Sequence, residues 1–131
     1  MKAQTGNHNL LRTAAVCFVS MMLVACASGP SNKWRIELSE SAKSDGNLVF
    51  RIAPEGEEPF DVDVRVFDDT SENQVAHRVR NEMLDQLPRD RFHVEVDDGE
   101  DVLLKKKRGS DFRLNLVSNT VKSVRVNLDR E

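Results

Sequence analysis

The strongest constraint on the fold is the spacing of apolar residues from Trp34 to the end of the chain. Apolar and polar side chains alternate in seven short runs, which is the period of a β-strand with one buried face. The cleanest run is 60–66, where every second residue is apolar and the residues between them are charged. Clusters of Gly, Asn, Asp and Ser separate the runs and predict turns. The pattern predicts about seven short strands.

One segment between the third and fourth runs has helical periodicity instead. Ser71 and Gln74 fit a capping box at its start, and Pro88 stops it because the residue before a proline is disfavoured in a helix. The apolar residues that share one helical face are Val75, Ala76, Val79, Met83 and Leu87. We expect an amphipathic helix that packs on the sheet, with three strands before it and four after it.

The four strands after the helix can be aligned by matching apolar residues. Residues paired in an antiparallel hairpin point to the same face, so apolar residues should lie opposite apolar residues. This predicts that Val94 pairs with Leu104, Leu104 with Leu114, and Leu114 with Val126. The three registers are mutually consistent and predict a four-stranded meander.

The same registers predict a basic cluster on the outward face of that meander, although the whole chain has a net charge of −3. The residues of this cluster are His93, Lys105, Arg113 and Arg125. Together they form a candidate anion site for a lipid phosphate or a glycan carboxylate. The alternative is that they are ordinary solvated charges, because the outer face of a sheet is normally charged.

The widths of the elements limit the architecture. Seven strands in a flat sheet would span about 34 Å, whereas one helix is about 10–12 Å across and cannot cover them. The sheet must therefore curl around the helix or split into a three-stranded and a four-stranded layer. We expect an α+β fold in which a mostly antiparallel sheet of about seven strands curls around one packed helix.

The amino-terminal part has the pattern of a secretory signal. Lys2 and Arg12 are the charged residues before an apolar and small-residue run at 13–25. The run has 13 residues, whereas a stable membrane-spanning helix needs about 20. This segment is therefore too short for a permanent anchor.

The end of that run, Leu23-Val24-Ala25-Cys26, resembles the lipobox of bacterial lipoproteins. The resemblance covers residues 1–26 and implies cleavage after Ala25 and a diacylglyceryl group on Cys26. It divides the chain into a signal peptide at 1–25, a lipidated cysteine with a short tether at 26–33, and one small domain at 34–131. Ala27 follows the cysteine where inner-membrane lipoproteins usually have Asp, so the resemblance favours the periplasmic face of the outer membrane. The alternative is an ordinary signal peptide followed by an ordinary cysteine.

The composition of the mature chain argues against several classes of function. Residues 26–131 contain 17 basic and 22 acidic residues and no cysteine after Cys26, which argues against nucleic-acid binding, disulfides and thiol chemistry. The two histidines of this part, His77 and His93, have no spacing typical of a metal site. We expect no metal and no cofactor.

No catalytic motif is present in the sequence, so we expect a protein without enzymatic activity. The first hypothesis is an interaction module of the cell envelope that is held on the membrane by Cys26 and contacts an envelope protein, lipid phosphate or glycan. The alternative is a carrier or sensor that holds a small apolar ligand or lipid inside the curled sheet.

Overall fold

The computed structural model describes residues 29–131, which form an α+β fold of seven strands and one helix in the predicted order. The elements are β1 (Lys33–Ser39), β2 (Gly46–Pro54), β3 (Phe60–Val66), α1 (Glu72–Gln86), β4 (Phe92–Asp97), β5 (Asp101–Lys106), β6 (Phe112–Asn119) and β7 (Arg125–Arg130).

The strands form two antiparallel sheets and not one curled sheet. The larger sheet has the order β4-β5-β1-β7 and the smaller has the order β3-β2-β6. The expectation of a single curled sheet is therefore wrong. The division into a four-stranded and a three-stranded layer, which follows from the same comparison of widths, agrees with the structure.

The predicted meander is also wrong beyond its first hairpin. Val94 does lie opposite Leu104, as predicted. The other neighbour of Leu104 is Trp34 on β1, not Leu114 on β6. Strand β6 pairs with β2, and β7 pairs with the free side of β1. The apolar alternation determines which face of a strand is buried, but it does not determine which strand lies beside it. It therefore cannot distinguish pairing between strands adjacent in sequence from pairing between distant strands.

Helix α1 begins with the predicted capping box. The Ser71 side chain accepts a hydrogen bond from the Gln74 backbone, and the Gln74 side chain accepts one from the Ser71 backbone. The apolar face of the helix is buried against β1, β3, β4 and β5. The helix thus lies beside β3, where it covers the part of the larger sheet that the three-stranded sheet does not reach.

The core lies between the inner faces of the two sheets and the apolar face of the helix. Its largest side chains, Trp34, Phe50 and Phe112, are at most 1% exposed. Phe92 packs edge-on against Phe60 and Phe112, with ring centroids 6.0 and 5.4 Å apart. Aromatic rings from both sheets therefore pack against one another.

Candidate interaction surface

The structure separates the four residues of the predicted anion site. His93 and Lys105 lie directly opposite each other on β4 and β5. Arg113 lies on β6 of the smaller sheet, opposite Ala53. Arg125 begins β7, at the far side of the larger sheet from β4. The predicted row across one sheet is therefore wrong, because it depended on the incorrect β5–β6 and β6–β7 registers.

The two residues that do meet share a carboxylate. Glu95 Oε1 lies 2.5 Å from the Lys105 ammonium, and Glu95 Oε2 lies 3.1 Å from Nε2 of His93. The hydrogen bond from Lys105, with a smaller contribution from His93, holds the pKa of Glu95 below its usual value. An incoming anion would have to compete with this carboxylate for Lys105 and His93.

The centre of the same outer face is an ion-pair cluster around Arg35. Its Nη1 atom lies 2.7 Å from Asp101 and 3.2 Å from Asp97, and its Nε atom lies 2.5 Å from Glu131. Glu131 also pairs with Lys33. The hydrogen bonds from Lys33 and then Arg35 lower the pKa of Glu131, and the same cluster raises the pKa of Arg35, chiefly through Glu131.

Sequence reasoning missed this cluster. The alternation shows that Arg35 points outward from β1, but its partners lie on β4, β5 and after β7, at separations of 62 to 96 residues along the chain. The missing information was the placement of β1 between β5 and β7. With that strand order in hand, the outward residues of the three strands would have predicted the cluster.

An open depression of about 420 Å³ lies on the polar side of α1, outside the two sheets. The residues that line it are Thr70, Gln74, His77, Arg78 and Asn81. Near it, the Phe67 ring is 46% exposed and has the guanidinium carbon of Arg78 at 4.9 Å from its centroid. This contact is a cation–π interaction that covers part of the exposed ring.

Within residues 29–131, two of the four sheet edges carry features that hinder pairing with another chain. At β3, the Asp63 N–H donates to Oε1 of Gln86 at 3.1 Å, and Nε2 of Gln86 donates to the Asp63 carbonyl oxygen at 2.9 Å. At β6, Ser31 exchanges two backbone hydrogen bonds with Phe112, and the register shifts at Val117. Strand β4 contacts α1, but its outward N–H and carbonyl groups, those of Val94 and Val96, have no partner within residues 29–131. Caps, bulges and neighbouring helices are common ways to protect an edge.

The outward backbone groups of β7 also have no partner in residues 29–131. The Glu131 N–H donates to the carbonyl oxygen of Lys33 at 3.1 Å, so the odd-numbered residues of β7 face β1. Bonding direction alternates along a strand. The N–H and carbonyl groups of Val126 and Leu128 therefore point away from β1, towards the open edge.

Apolar side chains accompany this edge. Leu116, Val126 and Leu128 are only partly buried, and Val117 is 50% exposed. They lie along the side of the domain where β6 and β7 end the two sheets, opposite the side covered by α1. We call the edge of β7 together with these side chains the open edge.

The part of the chain that the structure describes contains neither a metal-binding cluster nor a membrane-spanning helix. No group of three or more His, Cys, Asp or Glu side chains there is arranged to hold a metal ion. Within residues 29–131, no helix has both the length and the apolar character needed to cross a membrane. The lipobox residues Leu23, Val24, Ala25 and Cys26 lie outside the described residues.

Comparison with known proteins gives no match for this chain, either among protein-family models or among curated protein sequences.

Proposed function

We propose that the chain is a membrane-anchored bacterial lipoprotein that acts as a non-enzymatic interaction module of the cell envelope. The anchor is the lipid expected on Cys26, and the lipobox-like sequence supports it. The module is the two-sheet domain, and its proposed contact surface is the open edge.

The observation that carries this proposal is the position of Ser31. Its backbone N–H donates to the Phe112 carbonyl at 2.9 Å, and its carbonyl accepts from the Phe112 N–H at 3.0 Å. Four residues separate Ser31 from Cys26, and the five steps span at most about 18 Å. A lipid on Cys26 would hold the domain close to the bilayer, and Ala27 after the cysteine favours the periplasmic face of the outer membrane.

The open edge supports a protein partner better than an anionic lipid or glycan. Free backbone groups beside partly exposed apolar side chains are what an added β-strand uses. The residues expected to bind an anion are instead divided between the two sheets, and His93 and Lys105 contact Glu95. We therefore place the partner at β7 rather than on the outer faces of the sheets.

The arrangement of polar groups favours interaction over catalysis or transport. The carboxylates with lowered pKa values, Asp61, Glu95 and Glu131, lie in ion pairs on open sheet faces and not in a sheltered cleft. The depression beside α1 is lined by polar side chains and lies outside the sheets, so it gives no support to an apolar-ligand carrier.

The test is membrane fractionation of three versions of the full chain expressed in a bacterial host with radiolabelled palmitate. We expect the parent protein to be labelled and to stay with the membranes after washing with salt and alkali. Cys26→Ser should lose both properties, whereas the matched control Cys17→Ser should keep them. Label that persists in Cys26→Ser, or a parent protein found unlabelled in the soluble fraction, would contradict the proposal.

A further inference from the structure

The sequence of β7 is complementary to itself when two copies run antiparallel about Asn127. In that register Arg125 lies opposite Asp129 of the second copy, and Val126 lies opposite Leu128. The two-fold symmetry makes each of these pairs occur twice. Opposite charges and apolar side chains placed directly across from each other stabilise antiparallel strands.

The backbone fits the same register. The outward N–H and carbonyl groups of β7 belong to Val126, Leu128 and Arg130, and the first two residues face each other in this alignment. Each Val126–Leu128 pair can exchange two hydrogen bonds. A shift by one residue would place the outward-facing even residues of one copy opposite odd residues of the other, whose backbone groups already bond β1. A shift by two residues would lose both Arg125–Asp129 pairs.

We infer that β7 is a homodimer interface, through which two copies join their four-stranded sheets into one continuous antiparallel sheet of eight strands. The partner is a second copy of this chain because the charge order on the edge is self-complementary. Edge charges normally repel a second strand. Here the two signs are arranged so that a second copy is attracted. Contacts between identical surfaces of this kind are isologous and close as a dimer.

The dimer also fixes an orientation on the membrane, and this step rests on the proposed function. A two-fold axis between antiparallel strands of one sheet is perpendicular to the sheet, so the two Ser31 residues lie at opposite ends of the dimer. Both anchors reach one bilayer when that axis is normal to the membrane. The sheets then lie parallel to the membrane surface.

A cysteine at the symmetry axis tests the interface in native membranes. Asn127 would face its own copy in a non-hydrogen-bonded pair, with Cα atoms about 4.5 Å apart, which a disulfide can bridge. The full-length Asn127→Cys variant should form a covalent dimer on mild oxidation. Glu37→Cys is the matched control, since Glu37 lies beside Asn127 in the same row. Its thiols would be three strand spacings apart, about 14 Å.

The parent protein under the same oxidation is the second control, because it reports any dimer formed through Cys26. A dimer specific to Asn127→Cys supports the inference. Crosslinking that is absent from Asn127→Cys, or equally strong in Glu37→Cys, overturns it.

Charge reversal tests the register. Arg125→Asp alone and Asp129→Arg alone each place like charges opposite each other twice, and each should weaken dimerisation by about tenfold. An equimolar mixture of the two variants restores both opposite-charge pairs, so it should form a heterodimer as readily as the parent forms a homodimer. Both residues are exposed, and circular dichroism should show an unchanged fold.

Native mass spectrometry of the mature proteins in detergent separates the two homodimers from the heterodimer by mass. Single variants that dimerise like the parent, a mixture that stays monomeric, or a parent that is monomeric at every concentration would overturn the inference. These outcomes are independent of lipidation. A lipidated monomer would leave the proposed anchor intact and remove the dimer, whereas an unlipidated dimer would do the reverse.

Discussion

Trp34 on β1 donates its indole N–H to the backbone carbonyl oxygen of Phe112 on β6, at 2.9 Å, and so links the two sheets through a buried hydrogen bond. The same carbonyl accepts the N–H of Ser31. The contact therefore joins the large sheet, the small sheet and the segment that leads to the proposed lipid anchor.

Replacing Trp34 with Phe removes this donor while keeping an aromatic ring in the core. We expect the free energy of unfolding to fall by about 1–3 kcal/mol, because a buried hydrogen bond and some packing are lost together. Urea unfolding followed by circular dichroism measures the change. Val117→Ala, at a half-exposed position, is the control and should change stability by less than about 0.5 kcal/mol. Equal effects of the two substitutions would show that the indole hydrogen bond contributes nothing.

Gln86→Ala should expose the edge of β3. The side chain of Gln86 bonds both the N–H and the carbonyl of Asp63, so its removal should lower the local stability of that amide by about 1 kcal/mol. Hydrogen exchange at the Asp63 amide measures the loss of protection. Glu82→Ala is the matched control, because Glu82 contacts the Gln86 amide but not Asp63. Unchanged exchange in Gln86→Ala would mean that this edge needs no cap.

Two glycines should respond differently to alanine. A Cβ atom on Gly46 would lie 2.8 Å from the backbone carbonyl carbon and oxygen of Thr120, so these two backbone segments would have to move apart, at a cost of about 1–3 kcal/mol. Gly56 has open space around it but a φ of +73°, so its alanine should lose only about 1 kcal/mol through backbone strain. Thermal unfolding of Gly46→Ala and Gly56→Ala gives the order. The reverse order would contradict the close contact between Gly46 and Thr120.

Acid should destabilise the domain through the ion pairs of the larger sheet. The hydrogen bonds from Lys33 and Arg35 hold the pKa of Glu131 below its ordinary value of 4.5, and Lys105 and His93 do the same for Glu95. The unfolded chain therefore takes up these protons first as the pH falls. The stabilisation is complete above about pH 5 and is lost as the pH falls through the folded pKa values.

The free energy of unfolding, measured as the pH falls below about 5, should depend less steeply on pH for Glu131→Gln than for the parent protein. Glu58→Gln is the control for removal of one carboxylate, since Glu58 lies in the loop between β2 and β3 and makes no ion pair within residues 29–131. An identical slope for Glu131→Gln and the parent would contradict a role for the Arg35 cluster.

The local parts of the fold could be predicted from sequence because short-range chemistry determines them. The helix boundaries follow from Ser71 and Pro88, and the β4–β5 hairpin follows from a turn in which Asp98 and Gly99 adopt positive φ angles of 47° and 81°. The sheet order could not be predicted in the same way. Val102 and Leu104 match the apolar residues of β1 as well as those of β6, so a period of two leaves several neighbours equally acceptable.

The open edge was beyond sequence reasoning for the same reason. The residues of β7 show the strand period, but whether a strand lies inside a sheet or at its edge depends on every other pairing. Only when β1 is known to lie between β5 and β7 does the alternation identify Val126 and Leu128 as residues with free backbone groups. The self-complementary order of Arg125 and Asp129 indicates a dimer interface only once β7 is known to be an edge strand.

The intact mass of the protein extracted from bacterial envelopes shows whether Cys26 is the first residue and whether it carries lipid. We expect a chain that starts at Cys26 and is heavier than its amino-acid sequence by a diacylglyceryl group, with or without a further acyl chain on the amine. A chain that retains residues 1–25, or one cleaved there and carrying no lipid, would contradict it.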